Sequence, residues 1–244
     1  MTKMLGFDRQ IKKVWLDITM ELLAEGKSVK EIKEKQESFM AADLSGKIAR
    51  RKTRLVISRM WLDDDPNLVV LRREALSIFE ENPEIDTRIF HWGLCLAAYP
   101  FFRDIAAICG RLIALQGYFG VSQVHDRISK IWGERSTLTR ASSRVIQTIR
   151  IWKLIESADK ARAYTSSEKT KVAVQEKHEA AWLIHSLLMS RENGSISVDE
   201  IGKMPELFPF KINFGLDSLV GSKGIEISRQ GLKASLISLK KPRQ

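Results

Sequence analysis

Two sets of side chains in this sequence have the type and spacing for polyanion chemistry. Arg140, Ser143, Arg144 and Gln147, with Arg150 at the margin, recur at helical intervals and so share one face of a helix. Guanidinium forks, a hydroxyl and an amide on such a face bond phosphate oxygens and base edges. Arg135 stands just ahead of them. The second set is Lys47, Arg50, Arg51, Arg54 and Ser58, at i, i+3, i+4, i+7 and i+11. Like charges this close repel by roughly a few tenths of a kcal/mol per pair, so helix stability does not explain the stripe. Either an anionic partner does, or it is a solubilising face partly neutralised by Asp63, Asp64, Asp65 and Glu74.

The elements that must carry the first set follow from the residues around it. A helix is predicted from Ser122 through Val124, Ile128 and Ile131 to Trp132, stopped by Gly133. Ser136 then offers an N-cap, and Leu138, Ala141, Val145, Ile149 and Trp152 form the apolar stripe of a second helix whose opposite face is polar. Past Glu156 the pattern becomes extended. Ala163 to Thr165 and Thr170 to Val174 flank the polar turn Ser166-Ser167-Glu168-Lys169 and are predicted to pair as a two-stranded wing. Helix, tight turn, helix and wing is the order of a small DNA-docking unit. The competing reading is ordinary: any surface helix of a basic protein shows arginines, and helix pairs with short turns occur in every bundle.

The second set lies on a helix predicted over residues 47–62, with Ile48, Leu55, Val56 and Met60 pointing inward. Before it come an amphipathic helix from Phe7 to Ala24, carrying Ile11, Trp15, Ile18 and Leu22, and a charged helix capped by Ser28. After it, Asp63-Asp64-Asp65-Pro66 makes a turn, Asn67 to Glu80 a helix, and Asp86 to Ala98 and Phe101 to Gln116 two apolar helices divided at Tyr99-Pro100. From Gln175 on, helices are expected at Ala180 to Met189, Ser197 to Gly202 and Asn213 to Val220. A strand pair is expected over Ile225 to Leu239 around Gly231. The fold class read from this is mainly α: an N-terminal helical domain (residues 1–120) followed by two winged-helix-like units with short β-hairpins (121–176 and 177–244). The third helix of the last unit holds Asp217 and few bases, so this unit is expected to pack against protein; Lys240, Lys241 and Arg243 form a short basic tail.

The totals fit a polyanion partner. A formal net charge of +10 in 244 residues, with 44% hydrophobic residues, describes an ordered chain whose field attracts DNA, RNA or an anionic membrane face. The apolar region Ile89 to Phe119 is interrupted by Pro100, Arg103, Asp104 and Arg111, so no membrane partner is expected from it. The start lacks the apolar core of an export signal, and Cys95 and Cys109 sit in apolar helical sequence without metal-ligand spacing. Both features fit reduced thiols in a cytoplasmic protein.

Chemistry of other kinds finds little support. GxxxxGK, GxGxxG, HExxH and GxSxG patterns are lacking, and a carboxylate-plus-lysine nuclease site would need residues distant in sequence. His91 and His125 stand alone; His178 and His185 share a helix face without a third ligand in reach. No enzyme activity, cofactor or metal is expected. The partner expected is double-stranded DNA. The alternative is a protein-interaction adaptor whose basic faces dock an acidic subunit, and RNA would call for exposed stacking aromatics on the basic faces.

With these segments placed, the chain resembles the BrxA family, the small helical component of bacterial BREX phage-defence systems. The resemblance rests on paired Leu22-Leu23 in an N-terminal helix, the basic run Ser45-Gly46-Lys47-Ile48-Ala49-Arg50-Arg51, the turn Trp132-Gly133-Glu134-Arg135-Ser136-Thr137, and Ile151-Trp152-Lys153-Leu154-Ile155. It covers Phe7 to Glu156; the chain from Gln175 is longer than the family pattern. It implies a non-enzymatic, duplex-DNA-binding protein that works beside other defence-system proteins.

Overall fold

Apolar residues at helical spacing dominate the first half of the chain, and the computed structural model, which describes residues 5–191, 194–212, 219–230 and 234–240, packs them as six helices. These are α1 (Lys13–Ala24), α2 (Val29–Ala41), α3 (Lys47–Trp61), α4 (Pro66–Glu81), α5 (Arg88–Ala98) and α6 (Pro100–Gln116). Ser28 and Glu31 close a reciprocal capping box on α2, and Asp65 caps α4 ahead of Pro66, where a missing amide costs nothing. Pro100 forces a 115° bend between α5 and α6, and among the described residues no single helix is long and apolar enough to cross a membrane.

Helix α1 starts later than the sequence periodicity predicts. Phe7 to Lys12 is non-helical and fully buries Phe7 and Ile11. Backbone groups decide this: the Ile11 amide donates to Thr148 Oγ1 at 3.1 Å, and the Ile11 carbonyl accepts from Trp152 Nε1 at 2.9 Å. A helical turn there would have withdrawn both groups.

Gly117, with φ 80°, ends α6 and leads into β1 (Phe119–Gly120), α7 (Val121–Trp132), α8 (Ser136–Ile151), β2 (Glu156–Ser157), β3 (Ala163–Thr165) and β4 (Val172–Val174). The sheet order is β1-β3-β2, all antiparallel, with Phe119 opposite Tyr164 and Glu156 opposite Thr165. The predicted wing pairing is therefore corrected: β3 pairs with β2, and the turn Ser166 to Lys169 does not join a hairpin. Val172 and Val174 are buried with Ala173 exposed between them, and β4 finds its apolar cover in a parallel pairing with β6 (Phe210–Ile212).

The remaining elements are α9 (Lys177–Met189), β5 (Ser195–Ser197), α10 (Val198–Ile201), a single 3-10 turn at Pro205–Leu207, β7 (Ile225–Gln230) and β8 (Ala234–Leu239). Helix α9 is buried almost all round, as its largely apolar run from Ala180 to Leu188, broken only by His185 and Ser186, requires. It packs on α4 and α5: Trp182 stacks edge-on to Phe90 and its Nε1 donates to the Leu71 carbonyl at 2.9 Å. A side chain at Gly93 would strike Trp182, which is why α5 has none there. The last sheet has the order β5-β8-β7, so in both three-stranded sheets the strand ahead of the helices pairs with the final strand of the hairpin. The expected helix Asn213 to Val220 and the tail residues Lys241 and Arg243 lie outside the described residues in whole or large part. The buried residues form one apolar cluster from Phe7 to Ile237.

Candidate nucleic-acid interface

Helix α8 is fixed from behind. Leu138, Ala141, Val145, Ile149 and Trp152 are each at most 2% exposed, the stripe that the spacing predicts. Thr148 and Trp152 hold the Phe7 to Lys12 strap through the two hydrogen bonds to Ile11. At the C-terminus of α8, Arg88 Nη1 donates to the Trp152 carbonyl at 3.2 Å, satisfying a group that the helix leaves unpaired. Asp86 holds that guanidinium in place: burial pushes the Asp86 pKa up, but Arg88 outweighs it and keeps the carboxyl ionised below its usual range. The N-terminus differs from expectation: the cap position is Arg135, and Ser136 is the first helical residue.

With the apolar stripe inward, Arg140, Arg144 and Arg150 face solvent, and Ser143, Gln147 and Arg135 are half-buried. Among the described residues, Arg140 and Arg144 meet no carboxylate, and Arg150 bonds only Gln147 Oε1 at 3.2 Å. Gln147 in turn donates to Tyr164 Oη at 3.4 Å, tying the helix face to β3. Ser143 Oγ lies 3.3 Å from His125 Nε2 on α7, so it serves the contact between α7 and α8 as well as the surface. Burial lowers the His125 pKa, with Asp126 opposing, so this imidazole is neutral at neutral pH. The turn from α7 to α8 is three residues, Gly133 (φ 78°), Glu134 and Arg135, and Arg135 Nη2 donates to the Trp132 carbonyl at 3.1 Å. Arg140, Ser143, Arg144, Gln147 and Arg150 thus share one side of one rigid helix.

Four cations beside α8 escaped the sequence reading: Arg127 and Lys130 on α7, and Lys160 and Arg162 in the connection from β2 to β3, all exposed. The polar Asp159-Lys160 pair was the signal for that turn, hidden because the wing was placed one segment too late. Lys160 Nζ bonds Tyr118 Oη at 2.7 Å, and Arg162 holds a left-handed φ of 54°, its carbonyl accepting the Val121 amide at 3.1 Å. Between residues 119 and 174 there are eleven Lys and Arg against five Asp and Glu. That segment therefore carries a net charge of +6.

The earlier stripe has another geometry. Arg50 and Arg54 sit on the flank of α3 that faces α2. Arg50 Nε donates to Glu37 Oε1 at 2.5 Å, and Arg50 Nη1 donates to the Leu44 and Ser45 carbonyls at 2.6 and 2.9 Å. Arg54 lies 3.4 Å from Glu37 Oε2 and donates to the Lys33 carbonyl at 3.3 Å. The Arg50 hydrogen bond, joined by the fields of Arg50, Arg54 and Lys47, lowers the Glu37 pKa and keeps it charged. Lys47 and Arg51 remain exposed and form no ion pair among the described residues. The inward face is corrected as well. Thr53, Val56, Ile57, Met60 and Trp61 are buried, whereas Ile48 is 68% and Leu55 63% exposed. At 100° per residue, positions 48 and 55 fall opposite the buried stripe.

The histidines take structural positions. His91 is fully buried, with Nε2 2.9 Å from Asp17 Oδ1 and its ring against Trp61 and Trp152. Burial depresses the His91 pKa more than Asp17 restores it, so the imidazole is neutral. Burial also works against the Asp17 charge, yet His91, Lys13 and Thr87 together hold that carboxyl well below the usual range. His185 Nδ1 lies 2.8 Å from Glu74. Cys95 and Cys109 are buried free thiols, both pushed up by desolvation. No cluster of three metal-ligating side chains occurs among the described residues. A cleft of about 450 Å³ beside Asp86, Arg88, Lys171 and Glu179 is polar, but Asp86 is held by Arg88 and Glu179 accepts the Gln175 amide at 3.1 Å.

Comparison with protein-family models, with curated proteins and with solved structures finds no match.

Proposed function

We propose that this protein binds double-stranded DNA without catalysing a reaction on it, through the outer face of α8. One observation carries the reading: Arg140 and Arg144 stand exposed on a helix fixed by its own core, with no carboxylate partner among the described residues. A guanidinium left unpaired in a charge-rich protein is available for phosphate or guanine contacts. The arrangement around it supports the same use. A three-residue turn containing Gly133 joins α7 to α8, and the β2 to β3 hairpin beside β1 follows, the element order of a winged helix. Gln147, Arg150 and Arg135 extend the contact, and Lys160 and Arg162 offer further cations at the hairpin. The resemblance to BrxA proteins adds the setting, an accessory role in a bacterial phage-defence complex.

The test is a fluorescence-anisotropy titration of a 24-base-pair duplex at two salt concentrations. Affinity should fall on a log-log scale with a slope of about −0.9 per phosphate neutralised. A hairpin RNA should compete poorly. No duplex complex at low salt, or affinity indifferent to salt, would sink the proposal.

A further inference from the structure

We propose that the outer face of α3 docks an acidic amphipathic helix of a partner protein. Ile48 and Leu55 stand two turns apart, 68% and 63% exposed, on the side of α3 opposite its buried stripe. A helix rises about 1.5 Å per residue, so the two side chains are spaced about 10 Å apart, the interval at which a second helix repeats its own i and i+7 positions. Arg51 and Lys52 lie between them on the same face, both exposed and without a carboxylate partner among the described residues, whereas Arg59 beyond is held over the Tyr99 ring. Glu37, on the adjoining α2, is already taken by Arg50 and Arg54. Beside Arg54 an open groove of about 580 Å³ runs along α2, edged by Val29, Lys30, Lys33, Glu34 and Glu37.

The chemistry selects among occupants. A phosphate backbone would gain nothing from two exposed aliphatic side chains, and duplex DNA therefore fits α8 better than α3. An acyl-chain surface needs a continuous apolar strip, but here two cations interrupt the strip between its only two anchors. A helix with leucines at i and i+7 and glutamates at i+3 and i+4 meets every feature: its leucines cover Ile48 and Leu55, and its carboxylates reach Arg51 and Lys52. The surface lies on another helix from the DNA face and does not depend on that reading.

The probe is a fluorescein-labelled 20-residue helical peptide of that pattern, titrated against the full chain beside a scrambled peptide of the same composition. Patterned peptide should bind at least tenfold tighter than scrambled. Ile48→Ser with Leu55→Ser should lose at least tenfold while circular dichroism and duplex affinity stay unchanged. Arg51→Glu with Lys52→Glu should reject the acidic peptide and accept one with lysines in place of its glutamates. Should the double serine variant misfold, Leu55→Gln alone, at an exposed position, replaces it. Equal binding of the scrambled peptide, stronger association with phosphatidylglycerol vesicles than with peptide, self-association through Leu55, or loss of duplex binding in the serine variant would each overturn the proposal.

Discussion

Helices α3 and α8 are nearly the same length and carry four and three arginines, yet they dispose of their charge in opposite ways. Arg50 and Arg54 turn inward to Glu37 and to carbonyls of α2 and of the connection that follows it, whereas Arg140 and Arg144 meet no carboxylate among the described residues. Each helix ends near a buried tryptophan, and these differ too. Trp152 Nε1 donates to the Ile11 carbonyl, while Trp61 Nε1 finds no acceptor among the described residues. A basic stripe therefore says little until its intramolecular partners are known. Arginine bonded to a neighbouring helix and its connection is part of the fold, and arginine without a partner is free to recognise something else.

The largest effect should come from removing the unpaired charges. Arg140→Ala with Arg144→Ala is expected to weaken duplex binding about a hundredfold at moderate salt and to flatten the salt slope by about 1.8. The comparison breaks if anisotropy shows the same loss for Arg50→Ala with Arg54→Ala. Folding stability, in contrast, should follow the tryptophans. Trp152→Phe orphans the buried Ile11 carbonyl, and Trp61→Phe removes a donor that has no acceptor, so the first should cost about 1–3 kcal/mol more than the second in urea unfolding. Equal losses would mean that the strap does not fix α8.

Acid should act on both regions at once, because His91 touches Trp61 at the end of α3 and Trp152 behind α8. Burial lowers the folded His91 pKa below its ordinary 6.5, so the unfolded chain takes up the proton first. This stability is complete above pH 6.5 and is lost as pH falls below it, by at most about 1.4 kcal/mol per pH unit. Asp17, also lowered, adds its own loss only as pH drops below the ordinary carboxylate range. A melting point unchanged between pH 7 and pH 5.5 would contradict a neutral buried imidazole.

Much of α8 could be read from the sequence because its evidence is local: the stripe from Leu138 to Trp152 and the stop at Gly133 lie within twenty residues. The break at Pro100 is equally local. What escaped was set by distant partners. Ile11 meets Thr148 across 137 positions, and Val172 to Val174 join a strand 38 residues later, with nothing in either segment to announce it. Helix α3 misled for a subtler reason. Ile48 and Leu55 share a helical phase with each other but not with Val56 and Met60, and the polar Thr53 completes the stripe that is buried.

Glu37→Gln gives the smallest expected change and probes the contrast most directly. It removes the carboxylate that holds Arg50 and Arg54 while leaving every cation in place. Arg50 keeps its bonds to the Leu44 and Ser45 carbonyls and stays on the connection from α2 to α3; Arg54 retains one longer bond, 3.3 Å to the Lys33 carbonyl. At most one guanidinium is thereby released, so the duplex salt slope should steepen by less than about 0.9. An increase well beyond that would show that α3 binds phosphate as soon as its own carboxylate is gone, and that pairing alone separates the two helices. No change at all would place the difference in the surface around them, where Ile48 and Leu55 leave no room for a phosphate backbone.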